Sequence, residues 1–302
     1  MYSVVTDPVR CGRGLTCINK PDHMYKNILA AINEHLNSEV AAGYALHLAR
    51  VCKARLILAF IAERKMTGES IENAHKSMHR LFEEARNAGL QVESISVAGD
   101  PLREIKRIVT HESIDIAFLS TRREDIKKRF YAGTTARRLL IGLPCSVALV
   151  RVVHFGKIHP RKILVPLKAR IAHLKERAFF TARMAEAFGA RVYLFHCTRP
   201  VESFFLGEIH LTPLQWEARL PGDISEFIKV LKQSGIESEN SLSPGTAGKK
   251  IALEASSRRH DLIIMGASER SLLASILRGN PVEELLREPP CNLIILKPRH
   301  GD

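Results

Sequence analysis

Two apolar rhythms alternate along the chain. Short runs of near-continuous apolar residues, such as "NILAAI", "RLILAFIA", "DLIIMG" and "NLIILK", have strand length. Between them, apolar residues recur every three or four positions. Val40, Tyr44, Leu48 and Val51 do so within residues 38–52, which predicts an amphipathic helix. Residues 70–89 predict a second helix, ended by Gly89, a residue free to take the left-handed conformation that closes a helix. Residues 91–99 then alternate as a strand does. Residues 101–113 read as a helix, 114–120 as a buried strand, 135–143 as a helix and 146–152 as a last strand. Strands without a polar face must be covered on both sides, and their alternation with helices makes the sheet parallel.

The same order is then written a second time. "AGTTARRLLIGLPCSVALVRV" (residues 132–152) lies over "RGNPVEELLREPPCNLIILKP" (residues 278–298). Gly133 matches Gly279, Leu139 matches Leu285, Pro144 matches Pro290 and Cys145 matches Cys291, all at one spacing. Upstream, Asp115 matches Asp261, Gly99 matches Gly245 and Gly89 matches Gly235 at that same spacing. Residues 26–32 match 161–167 at a shorter one, so copy two is longer. Most of its extra residues fall between Thr198 and Ala218. In copy two the strand-like segments are 162–167, 190–197, 261–266 and 292–297, and the helical ones are 176–189, 223–235, 249–260 and 281–287.

Repetition of this kind predicts an α/β fold of two tandem doubly wound units. Each unit has a five-stranded parallel open sheet with helices on both faces, and ligands belong outside the strand C-terminal ends, at the switch point of each sheet. The expected boundaries are a loose leader at 1–23, a first unit at 24–152, a linker at 153–160 and a second unit at 161–302. The insertion at 199–217 carries Phe204, Phe205, Leu206 and Trp216, the single tryptophan. It is expected to cover a helix or the cleft, with docking of a partner protein as the alternative. The last strands, "SVALV" and "NLIIL", are apolar enough to pair the two units inside one chain, and two such chains could form a homodimer.

Composition narrows the function. A chain of 302 residues suits two domains of ordinary size, and 45% hydrophobic with 25% charged residues is an ordinary globular balance. No apolar run approaches the roughly 20 residues needed to cross a bilayer. The start, "MYSVVTDPVRCGRG", has no basic segment leading into an apolar one, so a soluble cytoplasmic protein with no membrane partner is expected. The formal charge of +13 could attract nucleic acid or nucleotide phosphates. No nucleic-acid-binding motif accompanies it, so charge spread over solvated helix faces is the expectation, and charge-driven nucleic-acid binding stands only as an alternative. The six cysteines include no CxxC pair, which argues against a zinc module or a disulfide framework. Cys145 and Cys291 each follow a proline before an apolar strand and are expected to be small buried hydrophobes. A redox role is conceivable only for Cys11 and Cys17. The thirteen histidines are scattered; no metal site is expected.

Residues 24–298 resemble the universal stress protein family in its tandem form. The features that carry the resemblance are the strand–helix order, the "GDP" at Gly99–Pro101 after the third strand, the strand exits at Ser120 and Gly266, and the joints "LPCSVALV" and "PPCNLIILK". The resemblance implies a Rossmann-like fold and, in ATP-binding members, an acidic residue ending the first strand and a pattern G-x2-G-x9-G-(S/T) after the fourth. Small residues there let backbone N–H groups approach phosphates beside a helix N-terminus. In copy two this pattern falls on Gly266, Glu269 and Gly279, followed by Asn280; Ser268 lies in the same loop, and Pro281 and Glu283 make Asn280 a good helix start. In copy one it falls on Ser120, Arg123 and Gly133, followed by Thr134, with the basic side chains of Arg122, Arg123, Lys127 and Lys128 between. The acidic position falls on Asn33 in copy one and near Lys168, just after Pro166, in copy two.

The candidate nucleotide-binding residues are therefore Gly266, Ser268, Gly279, Asn280, Pro166 and Lys168 in the second unit, and Gly133 and Thr134 in the first. Two glycines are missing from copy one and one from copy two, and neither carries the carboxylate. The expected function is thus a non-enzymatic stress-response or regulatory protein with degenerate nucleotide sites, no required cofactor and an unknown protein partner. The alternative is an adenine-nucleotide module holding ATP or AMP mainly in the second unit. No Gly-x-Ser-x-Gly elbow, P-loop lysine or HExxH motif is present, so catalytic residues are not assigned; weak ATP hydrolysis is the residual enzymatic reading.

Overall fold

In the computed structural model, residues 24–121, 134–155, 158–198, 220–245, 247–267, 285 and 288–299 are described. Unit 1 runs β1 (Asn27–Ile32), α1 (Leu36–Cys52), β2 (Arg55–Ala62), α2 (Gly68–Asn87), β3 (Val92–Ala98), α3 (Pro101–His111), β4 (Ile116–Ser120), α4 (Thr135–Gly142) and β5 (Ser146–Arg151). Unit 2 runs β6 (Lys162–Leu167), α5 (Leu174–Phe188), β7 (Arg191–Thr198), α6 (Gly222–Gln233), β8 (Ser238–Pro244), α7 (Ala247–Ser257), β9 (Leu262–Gly266) and β10 (Asn292–Lys297). No helix among the described residues is long and apolar enough to cross a membrane.

Local chemistry explains the element ends. Thr67 caps α2 by accepting from the Ser70 N–H, and Asp100 caps α3 by accepting from the Arg103 N–H ahead of Pro101. Gly89 follows α2 with φ +74°, as its position in the sequence predicts. The strand that no apolar run marks is β8, "SENSLSP": it lies at the sheet edge beyond β7. An edge strand lacks a neighbour on one side and so needs no apolar pattern. Helix 281–287 lies outside the described residues except for Leu285, which is buried.

The ten strands form one sheet in the order β3-β2-β1-β4-β5-β10-β9-β6-β7-β8. Every neighbouring pair is parallel except β5 with β10. In that ladder Ile295 faces Leu149, and these two occupy equivalent places in the two copies. A pseudo-twofold axis therefore passes between them. Two apolar layers, one on each face of the sheet, both draw residues from both units.

Asp115 and Asp261, matched by the repeat, do the same job in each unit. Each carboxylate accepts from two successive backbone N–H groups at the start of the neighbouring first strand: Lys26 and Asn27 in unit 1, Arg161 and Lys162 in unit 2. They hold the switch-point strands together at one end, and the cleft opens at the other.

Polar groups buried at the seam also follow the pseudo-symmetry. β5 begins at Ser146 and β10 at Asn292, both fully buried. Ser146 Oγ donates to the carboxylate of Glu176 on α5, which also accepts from the Tyr25 hydroxyl at 3.0 Å. Asn292 Nδ2 donates to the Tyr44 hydroxyl on α1 at 3.1 Å, and its Oδ1 accepts from the Val153 and His154 N–H groups. Each last strand thus reaches the first helix of the other unit. Around these bonds ring contacts hold α5 in place: Tyr44 of α1 packs on Phe188 at 5.7 Å, and Tyr25, ahead of β1, on Phe179 at 5.5 Å. Burial pushes the Tyr44 hydroxyl up to about 12. Cys145 and Cys291 are buried, as the sequence suggests. His260 is buried against Tyr193, where unit 1 has Ile114.

Two measurements check the seam. Asn292→Ala strands the Tyr44 hydroxyl and two N–H groups, and should cost about 1–3 kcal/mol in urea unfolding. His47, packed between His159 and Phe188, is held down to about 4, by burial first and then by His159 and Arg50. An unfolded imidazole titrates near 6.5. Above that pH neither state carries the proton; below it the unfolded chain binds the proton first, so stability falls as pH drops from about 6.5 towards 4. His47→Gln should flatten the melting-temperature profile across that window.

Candidate functional site

In unit 2 the switch point lies between β6 and β9. Their ladder registers only Ile163 with Leu262 and Leu164 with Ile263. Pro166, two residues further on, brings no N–H to the end of β6. Just beyond, Lys168 is exposed. The chain then reaches α5 through His173, which sits in the left-handed region at φ 52° and gives the helix no side-chain cap. β9 exits at Gly266.

The side chain that decides this site is Arg177, in the first turns of α5. A Cβ on Gly266 would stand 2.1 Å from Arg177 Cζ and Nε and 2.5 Å from Nη2. The guanidinium therefore lies directly on the glycine backbone, and a larger residue there would have to push this side chain aside. Burial pulls Arg177 down to about 10, so it stays charged at neutral pH. The residue as a whole is only partly buried, so solvent reaches its border. Sequence reasoning missed Arg177 because it sits inside the apolar stretch "ERAFFTAR". Aligning the two helices by their ends at Lys53 and Gly189 would have exposed it: the equivalent position on α1 is Ala41, fully buried.

In unit 1 the switch point lies between β1 and β4, and here there is open space. A cavity of about 130 Å³ is lined by residues including Ala31, Asn33, Ile61, Ile105, Ser120 and Leu139. Its walls mix apolar side chains with the polar groups of Asn33, Glu63, Ser120 and Thr135 in nearly equal measure. Asn33 is held by its own loop: its Oδ1 accepts from the His35 N–H at 2.9 Å, and its N–H donates to Ser38 Oγ at 3.0 Å. Asn37 Nδ2 donates to the Thr121 carbonyl at 2.8 Å, tying the start of α1 to the exit of β4. Thr134 is the N-cap of α4, its hydroxyl accepting from the Arg137 N–H. Its structural duty is satisfied without a ligand.

The model of the Universal stress protein family matches the chain twice, at residues 24–151 and 160–297. The chain belongs to the universal stress protein family. A universal stress protein of Thermus aquaticus, encoded in a sulfhydrylase 3′ region, is 27% identical over 129 residues, 41% of this chain and 90% of that relative. The solved structure of a universal stress protein from Archaeoglobus fulgidus has a TM-score of 0.64 at 18% identity, covering 93% of this chain and all of that one. A functionally unknown protein from Pseudomonas aeruginosa scores 0.62 at 19% identity, covering 91% and 93% of the two chains. These likenesses show the same fold along nearly the whole length.

Of the candidate nucleotide-binding residues, Gly266, Pro166, Lys168 and Thr134 are described. Ser268, Gly279, Asn280 and Gly133 lie outside the described residues, as do the basic side chains between Arg122 and Lys128 and the 199–217 insertion. Gly266, Pro166 and Lys168 come together at the exits of β6 and β9; Thr134 lies in the other unit. The sequence favours unit 2 as the better-kept site, whereas a cavity at the strand exits is described in unit 1, and in unit 2 Arg177 lies on the exit of β9.

The Arg177–Gly266 contact can be measured directly. Gly266→Ala forces the guanidinium off the strand exit and should destabilise the protein in urea unfolding. The loss should shrink in an Arg177→Ala background, with a coupling energy of about 0.5–3 kcal/mol.

Proposed function

We propose that this universal stress protein is a non-enzymatic regulatory module in which adenine-nucleotide binding is weakened or lost. The observation that carries the reading is the packing of Arg177 onto Gly266. In a nucleotide site of this type that glycine is useful because it lets backbone approach a phosphate; here a side chain of the same protein takes that approach. Glu269 at the second glycine position adds bulk and negative charge to the same loop. In unit 1, Asn33 stands where the resemblance asks for a carboxylate, and Ser120 where it asks for a glycine.

A second reading, retained small-molecule binding, draws support from the cleft of unit 1, whose mixed apolar and polar lining suits a small ligand. Universal stress proteins have been solved in complex with cAMP and with dAMP, so these belong among the probes. On the primary reading, mass spectrometry of the denatured, freshly purified chain releases no adenine nucleotide. ATP, ADP, AMP and cAMP leave the melting temperature unchanged at micromolar concentration, and ATP is not hydrolysed. A tightly held nucleotide that is lost in Gly279→Trp overturns the primary reading. One that survives Gly279→Trp but is lost on filling the unit 1 cleft with Ala31→Trp establishes the second.

A further inference from the structure

We propose that β3, the outer edge of the sheet in unit 1, is the surface through which two copies of this chain associate, by an antiparallel β3–β3 pair centred on Ile95.

β3 ends the strand order, and among the described residues no strand lies beyond it. An exposed edge ordinarily carries a guard such as a lysine, a proline or a bulge. β3 has none of these. Its residues, "VESISVA", run in unbroken register with β2 from Val92 to Ala98. Its one charged residue, Glu93, is neutralised by Arg55 of β2, whose Nε donates to the carboxylate at 2.7 Å. The equivalent edge of unit 2 is blunt by comparison. The repeat spacing sets Ser238, Ser241 and Ser243 of β8 where β3 has Val92, Ile95 and Val97, and Pro244 closes that strand. Ile95 and Val97 pack on the rim of an apolar layer and stay partly exposed. The two ends of the sheet, related by the pseudo-twofold axis, therefore differ: only the β3 end offers an apolar edge without a guard.

The backbone of β3 suits a second copy of itself. The Leu56 N–H donates to the Gln91 carbonyl and the Gly99 N–H to the Ala62 carbonyl. Backbone groups of successive strand residues point to opposite sides, so the odd positions serve β2, while Val92, Ser94, Ser96 and Ala98 turn N–H and C=O outward. An antiparallel pair about Ile95 sets Val92 opposite Ala98 and Ser94 opposite Ser96, so each outward group meets an outward group of the other copy. Ile95 then meets its own copy, and Glu93 meets Val97 rather than a second carboxylate. A shifted register leaves strand residues unpaired, and one centred on Glu93 sets two carboxylates face to face. A contact of this kind is isologous and closes as a dimer.

The helix above the edge does not oppose the approach. α2 sets His75 Nε2 3.1 Å from Ser96 Oγ, and turns Ser77 and Arg80 the other way, to Glu39 on α1. Exposed charges on α2 are matched within the helix, Lys76 with Glu72 and Arg86 with Glu83, so two copies of α2 meet without a field of one sign.

The test is sedimentation velocity of the full chain over a concentration series. Wild type should pass from monomer to dimer as concentration rises. Ser94→Pro removes an outward N–H that β2 does not use, and should raise the dissociation constant at least about tenfold. Asn240→Pro, the equivalent change on β8, should leave the dimer intact. If Ser94→Pro does not fold, paired changes carry the test. Ser94→Lys with Ser96→Lys sets like charges opposite each other and should give monomer, whereas Ser94→Lys with Ser96→Glu sets opposite charges together and should restore the dimer. A wild type that stays monomeric up to its solubility limit overturns the proposal. So does a dimer that Ser94→Pro leaves intact, one that Asn240→Pro abolishes equally, or one lost in the lysine pair and not restored by the lysine–glutamate pair.

Discussion

The antiparallel pairing of β5 with β10 is the constraint on which the rest of this molecule depends. Either unit alone would end in an apolar strand with an unpaired edge, and an edge of that kind invites association. Joining the two edges inside one chain satisfies both ladders and merges two small cores into two continuous layers, one on each face of the sheet. The antiparallel sense also forces the pseudo-twofold axis, because equivalent residues Leu149 and Ile295 meet face to face. That axis brings α1 against α5 and sets the polar residues at the two strand starts within reach of the opposite helix.

Those buried polar groups give the seam its specificity. Apolar strands of this kind could slide in register with little loss of contact area. A Ser146–Glu176–Tyr25 cluster on one side and an Asn292–Tyr44 pair on the other cannot slide, because each shift would bury unsatisfied donors and acceptors. The same axis ties the seam to the clefts. Glu176 and Arg177 are neighbours on α5, one carboxylate reaching the other unit and one guanidinium reaching the strand exit of its own. A helix locked at the seam therefore also fixes the position of the cation at the cleft.

The two switch points show how a duplicated fold diverges. The backbone frame is the same in both, down to the aspartates that clamp Lys26–Asn27 and Arg161–Lys162. Side chains at a few positions decide what the frame holds. In unit 1 the turn at Asn33 closes on itself beside a cavity; in unit 2 an arginine at the helix position equivalent to Ala41 lies on Gly266.

Much of this was legible in the residues. The apolar strands, the helix at Val40–Val51, the turn at Gly89, the repeat through Asp115 and Asp261 and the pairing of the last strands all follow from local periodicity and self-similarity, which one chain carries in full. β8 escaped that reading because an exposed edge strand has no apolar face to reveal it. The Arg177–Gly266 contact escaped because the two residues lie far apart in the chain, and a charged residue in an amphipathic helix ordinarily points to water. The sequence by itself determined the architecture: two copies, one frame, and departures from the glycine pattern in both. Only the tertiary structure set Arg177 on Gly266 and a cavity beside Asn33, since both depend on the directions side chains take once the helices are locked against the sheet.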